Sequence, residues 1–223
     1  LPFLRAKGAT IIANIYGHSP DEYVELVQRL DEANAADAIE ANLSCPNVHD
    51  ARKAKGAVLV AQDPRCVEEY TRAIRAVTKL PLIVKLTPNV MDITEPALAA
   101  EAAGADALCL INTILGMAID AETRRPRLSN IVGGLSGPAI RPVAVKMVWD
   151  AHRVVKIPII GTGGVCRAED AIEFLLAGAT AVSVGSMTFR QPDAAIQVLE
   201  GIEEYLLRHS INDVTQLIGA MKV

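Results

Sequence analysis

The chain has 223 residues, 51% hydrophobic and 22% charged, with a formal net charge of -4, which suits one sizeable core and leaves no excess of positive charge for nucleic acid. No stretch approaches the ~20 apolar residues that span a bilayer. The four cysteines, Cys45, Cys66, Cys109 and Cys166, form no CxxC pair, which argues against a zinc site or an iron-sulfur cluster on this chain and points to a reducing, cytoplasmic compartment.

In chain order, short apolar, β-branched runs alternate with amphipathic stretches, the mark of βα units around a parallel sheet. Strands are predicted at residues 10–16, 37–43, 81–86, 107–112, 157–161 and 181–185. Helices are predicted at 21–33, 65–77, 94–103, 139–154, 168–177 and 194–207. Ser19 before Pro20, and Asp63 before Pro64, offer an N-cap followed by proline at the first helical position. Gly104 and Gly178 each close an alanine-rich helix, where a left-handed residue is wanted. Residues 114–135 lack a helical period and read as an insertion, a short hairpin, within a single domain covering 1–223.

Such alternation fits a doubly wound sheet or a (β/α)8 TIM barrel. A barrel takes about 250 residues and about eight units. About six βα units are visible here, so the barrel reading expects roughly two more before Leu1 and an N-terminally incomplete chain. The start has neither an initiator methionine nor the layout of a signal peptide.

In either architecture ligands bind at the carboxyl ends of the strands, so the residues leaving each strand carry the functional expectation. Asn14 ends the first strand and Asn42-Leu-Ser-Cys-Pro-Asn47 the second. Cys45 there is either a base or nucleophile with an accessible thiolate, or a small buried hydrophobe. Lys85 ends an otherwise apolar strand, where an ammonium either meets an anion or acceptor or snorkels outward. Asn112 and Thr113 follow the fourth strand, and Asn112 with Asn14 and Lys85 makes a polar ring suited to a flat heterocycle. Gly161-Thr-Gly-Gly164 and Val184-Gly-Ser186 supply exposed amides and a hydroxyl after the last two strands, where barrels often bind phosphate. Gly133-Gly-Leu-Ser-Gly-Pro138 then opens a helix, with Ser136 or Gly137 as cap and free N–H groups facing the same anion.

Taken together, Asn42-Leu-Ser-Cys-Pro-Asn-Val48, Val84-Lys-Leu86, Ile111-Asn-Thr113, Leu115-Gly-Met117, Thr123-Arg-Arg-Pro-Arg127, Gly133-Gly-Leu-Ser-Gly-Pro-Ala-Ile140, Gly161-Thr-Gly-Gly164 and Val184-Gly-Ser186 resemble the class 1B dihydroorotate dehydrogenases along essentially the whole chain. The resemblance implies a barrel holding FMN at its mouth and oxidation of dihydroorotate to orotate in pyrimidine synthesis. By match to the family pattern, Cys45 is the base, while Asn14, Asn42, Lys85 and Ile111 contact the flavin. Gly137, Gly163, Gly164, Gly185 and Ser186 serve its phosphate, and Asn42, Asn47, Asn112 and Thr113 bind the substrate. It also implies a partner subunit carrying FAD and a 2Fe-2S cluster that passes electrons to NAD+, in an assembly built on a homodimer within a heterotetramer.

Two departures from the family accompany the match. The first two βα units are absent, and with them a substrate-binding lysine and an FMN-contacting serine. Residues 48–62 are longer and more basic than the family's active-site loop and lack its paired glycines. The competing readings are a dihydropyrimidine dehydrogenase, a class 1A enzyme that reduces fumarate, and an inactive barrel fragment that keeps a phosphate cup.

Overall fold

A computed structural model describes residues 2–44 and 60–222. The chain runs α1 (Pro2–Ala6), β1 (Ile12–Ile15), α2 (Pro20–Glu32), β2 (Ala38–Asn42), α3 (Pro64–Arg75), β3 (Leu82–Lys85), α4 (Thr94–Ala102) and β4 (Ala107–Leu110). An insertion follows, with β5 (Ile114–Met117), β6 (Ile119–Asp120), β7 (Arg125–Pro126) and β8 (Val132–Leu135). The last elements are α5 (Arg141–His152), β9 (Ile159–Thr162), α6 (Ala168–Ala177), β10 (Ala181–Ser183) and α7 (Ala194–Arg208).

Six strands form one parallel sheet in the order β1-β2-β3-β4-β9-β10. A doubly wound sheet reverses its strand order at a switch point, whereas a barrel adds each strand beside the last. The unbroken order therefore decides between the two architectures: the sheet is an arc of a (β/α)8 barrel.

Successive helices pack side by side, α2 against α3, α3 against α4, α4 against α5, α5 against α6 and α6 against α7. Side chains alternate across each strand. Ile39, Ala41, Leu82, Val84, Leu108, Leu110 and Ile159 point to the helices, where they share a core with Val27, Tyr70, Ile74, Val148 and Phe174. The opposite face, which becomes the barrel interior, carries a small apolar cluster of Ala38, Ile83 and Cys109 with Ala107 and Ile160. Glu40, Asn42 and Lys85 share that interior face by the same alternation.

Register is set at the amino-terminal rim by a device used twice. Asp37 precedes β2, and its carboxylate accepts from Ile11 N at 2.7 Å and from Arg5 Nη1 at 3.1 Å. Asp106 precedes β4 and accepts from Leu82 N and Arg75 Nη1, both at 2.8 Å. Each acid thus pins the start of its own strand to a neighbour that arrived earlier in the chain.

Local signals account for the helix ends. Ser19 Oγ accepts from Glu22 N and Asp63 Oδ1 from Arg65 N, while Gly178 closes α6 at φ +115°. The expected helix at 139–154 is two pieces, a 3-10 turn at Pro138–Ile140 and then α5, because Pro142 restarts the helical spiral at its own first turn. The expected hairpin at 114–135 is two antiparallel pairs, β5 with β8 and β6 with β7. The short α1 has no counterpart in the sequence reading.

Phe174 is fully buried and its ring lies over Gly161, where a Cβ would come 2.6 Å from the ring. Phe174→Ala is expected to cost about 3–5 kcal/mol in urea unfolding. A loss below about 1 kcal/mol would contradict this account of how β9 is held.

Candidate functional site at the carboxyl rim

One cleft opens at the carboxyl ends of β3, β4, β9 and β10. It brings together Lys85, Ile111, Asn112, Thr113, Gly137, Gly163, Gly164, Gly185 and Ser186, each of them named by sequence reasoning. Ile140, Thr162 and Val165 also line it and were not anticipated. Their sequence signal is weak, since two are apolar and Thr162 lay inside the glycine motif as an apparent spacer.

One end of the cleft is built from backbone. Gly164 sits at φ +80°, and a Cβ there would come 2.7 Å from Gly137 O, so the loop after β9 can lie against the turn before α5 only with glycine at this position. Among the described residues, the N–H groups of Gly137, Gly163, Gly164, Gly185 and Ser186 meet no protein acceptor. Unpaired amides gathered around a concavity suit an anion. The turn at Pro138–Ile140 contributes less than a helix start would: Pro138 has no N–H, and Ile140 N donates back to Gly137 O at 3.1 Å. The cup is braced from behind by Asp170, which is buried. Its Oδ2 accepts from Cys166 N at 2.9 Å and from Arg167 N at 3.1 Å, and its Oδ1 pairs with Arg141.

The other end is built from side chains. Asn112 Nδ2 donates to Ser44 Oγ at 2.8 Å and to Asn42 Oδ1 at 3.2 Å, and Ser44 Oγ donates to Asn42 Oδ1 at 2.9 Å. Tyr23 OH holds the Asn42 carbonyl at 2.8 Å. Asn89, in the loop after β3, donates through Nδ2 to the Thr113 carbonyl at 3.0 Å and accepts from Leu115 N at 2.9 Å, tying the loop after β3 to the start of the insertion. Ser44 and Asn89 were not singled out from sequence. Asn89 carried the same signal as Asn112, an amide just beyond an apolar strand.

Asn14 and Asn42 do not line the cleft. They stand beside it on the interior face, Asn14 donating to Glu40 and Asn42 to be found in the Ser44 and Asn112 network. Cys45 and Asn47 lie outside the described residues, and Ser44 is the last described residue of their motif.

Lys85 is not a snorkelling lysine. Its side chain is 20% exposed, and its Nζ lies 3.4 Å from Glu40 Oε1. Burial pulls the Lys85 ammonium down, Cys109 and the Glu40 carboxylate pull it up, and the balance leaves it above its ordinary value. The Cys109 thiol is itself pushed up to about 12, by burial first, with Lys85 opposing and Glu40 adding to the rise. Cys109 is therefore neutral across the working pH range and its pull on Lys85 belongs to the alkaline end, where the thiolate forms; below that, the anion beside Lys85 is Glu40. With this pKa the thiolate of Cys109 at pH 8 is scarcer by roughly 10^3 than that of a free cysteine at ~8.5. Iodoacetamide is accordingly expected to alkylate Cys109 in the folded chain roughly 10^3-fold more slowly than in urea, read by peptide mass spectrometry. A slowing of less than about tenfold would show that the interior face is open at this point.

The family model for dihydroorotate dehydrogenase matches residues 4–206. The chain is 53% identical over 222 residues to the dihydroorotate dehydrogenase B (NAD(+)) catalytic subunit of Trichlorobacter lovleyi, covering all of this chain and 71% of that protein. It is 49% identical over 223 residues to the protein of the same name from Caldicellulosiruptor bescii, covering 72% of it. Among solved structures it is similar to DHODH from Eimeria tenella in complex with ferulenol, with a TM-score of 0.73 and 26% identity. That match covers 90% of this chain and 57% of the other.

Proposed function

The chain belongs to the dihydroorotate dehydrogenase family, and from that premise we propose that its rim cleft binds FMN and oxidises dihydroorotate to orotate. The observation that carries this reading is the pairing, in one cleft, of the unpaired glycine amides at one end with the Lys85 ammonium at the other. FMN has that polarity, with a phosphate at one terminus and, at the other, a ring that becomes anionic on reduction. The residues fit the group. Gly137, Gly163, Gly164, Gly185 and Ser186 would hold the phosphate and Lys85 and Ile111 the ring, with Asn14 and Asn42 completing the ring end from beside the cleft.

FMN, when bound, supplies the acceptor for the hydride that leaves C6 of dihydroorotate. The residues of the chain handle the rest. Cys45 takes the proton from C5, so that one hydride and one proton depart and a ring double bond forms. This role rests on its motif. Asn112 and Thr113, with Asn42 and Asn47, orient the substrate. Asn112 is well placed to do so because Ser44, Asn42 and Thr113 N fix its amide. Lys85, held charged, favours negative charge on the reduced ring.

The relatives are named as catalytic subunits, and we assign this chain a partner subunit that carries FAD and a 2Fe-2S cluster and delivers electrons to NAD+. The catalytic chain would pair with itself within that assembly. Residues 1–223 would act as one FMN-binding unit in the cytoplasm, a reading that the lack of a paired-cysteine motif supports.

The chain loaded with FMN is expected to turn yellow and to bleach anaerobically with dihydroorotate faster than with dihydrouracil. Cys45→Ala should keep the flavin spectrum and slow bleaching by about 10^2–10^4, the usual worth of a positioned base. A colourless protein, a preference for dihydrouracil, or a Cys45→Ala variant as fast as the parent would each overturn the corresponding part of the proposal.

A further inference from the structure

Glu40 belongs to no motif of the sequence analysis, yet it stands on the interior face, on β2 between β1 and β3. Its side chain is 13% exposed, and a carboxylate at that depth is costly unless it is paired and hydrogen-bonded. It finds one partner on each neighbouring strand. Asn14 Nδ2 on β1 donates to Oε1, and Lys85 Nζ on β3 lies 3.4 Å from the same oxygen. Register brings these about: Asn14 is opposite Glu40 across β1 and β2, and Lys85 is opposite Asn42, the next interior residue along β2. Among the described residues, the remaining titratable group of the cluster is Cys109, opposite Lys85 on β4 and neutral below about 12.

We infer that Glu40 is a positioning residue of the cleft, a fixed anion beneath its floor that aims Lys85 and Asn14 and keeps the Lys85 ammonium charged. It does not reach the cleft itself; it acts through the two side chains it holds. One consequence rests on the FMN reading above. A negative charge behind the ammonium offsets part of the pull that Lys85 exerts on an anionic reduced ring, so Glu40 sets how readily the flavin accepts electrons. The positioning itself needs no flavin.

The test is pulse acetylation of Lys85 with acetic anhydride from pH 7 to 11, in the folded chain without added FMN, quantified by peptide mass spectrometry. Only the free amine reacts, and a carboxylate 3.4 Å from the ammonium keeps it scarce. Glu40→Gln removes the charge at nearly constant shape, so the labelling curve should move to lower pH and labelling at pH 9 should rise about tenfold. Glu40→Asp, which keeps the charge at shorter reach, should fall between parent and Gln variant. Labelling of Glu40→Gln within twofold of the parent at every pH overturns the inference. So does an equal rise in both variants, which would indicate loosened packing. Should the Gln variant not fold, the Asp variant alone decides, by a rise of threefold or more against none.

In the FMN-loaded protein, Glu40→Gln should favour two-electron reduction about tenfold, a rise of about 30 mV in potential. A parent chain that takes up no FMN would sink the proposed function and leave the acetylation comparison to judge Glu40.

Discussion

Parallel pairing of neighbouring strands in unbroken chain order is the constraint from which the site follows. It points every strand in one direction, so the segments that leave β1, β2, β3, β4, β9 and β10 share one rim. Residues separated by 70 positions, such as Asn42 and Asn112, become hydrogen-bonding neighbours through it. It also fixes faces. A one-residue slip of β2 or β3 would turn Glu40 and Lys85 into the helix-side core and bring Ile39 and Val84 inside. Asp37 and Asp106 guard against such a slip from the far rim, each by tying a strand start to a backbone N–H of its neighbour.

The two ends of the cleft use different physics. Backbone makes the anion cup, where the glycines are required as much for close approach as for their amides. Gly164 lets the loop after β9 touch the turn before α5, and Asp170 with Arg141 holds that contact from outside. Side chains make the opposite end, and there the electrostatics are balanced. Lys85 brings a positive charge into a part-buried position, Glu40 compensates it, and Cys109 contributes bulk without charge. Amides gathered at one end and a compensated cation at the other distinguish the cleft from a general phosphate site.

Much of this was legible in the sequence because it is local. Apolar runs marked the strands, Ser19 and Asp63 marked helix starts, and glycine pairs after strands marked the cup. Lys85 stood out as a charge in an apolar run. Glu40 sits in a similar run, Ala38 to Asn42, and escaped notice because its meaning depends on register: only when β1 and β3 flank β2 do Asn14 and Lys85 converge on it. Asn89 was missed for a similar reason, since it matters by reaching Thr113 and Leu115 across a loop. The choice between a barrel and a doubly wound sheet also depended on strand order, which composition and period do not encode. The turn at Pro138–Ile140 departed from expectation because two prolines close together, Pro138 and Pro142, interrupt the backbone ladder that one continuous helix would need.

In the proposed complex the glycine amides of the rim cup the phosphate of FMN. Titrating the isotope-labelled chain with FMN and following amide 15N–1H resonances tests it directly. Gly163, Gly164, Gly185 and Ser186 are expected to shift first and furthest, and riboflavin, which lacks the phosphate, to leave them nearly unmoved. Equal shifts with riboflavin, or shifts confined to another face of the barrel arc, would contradict it.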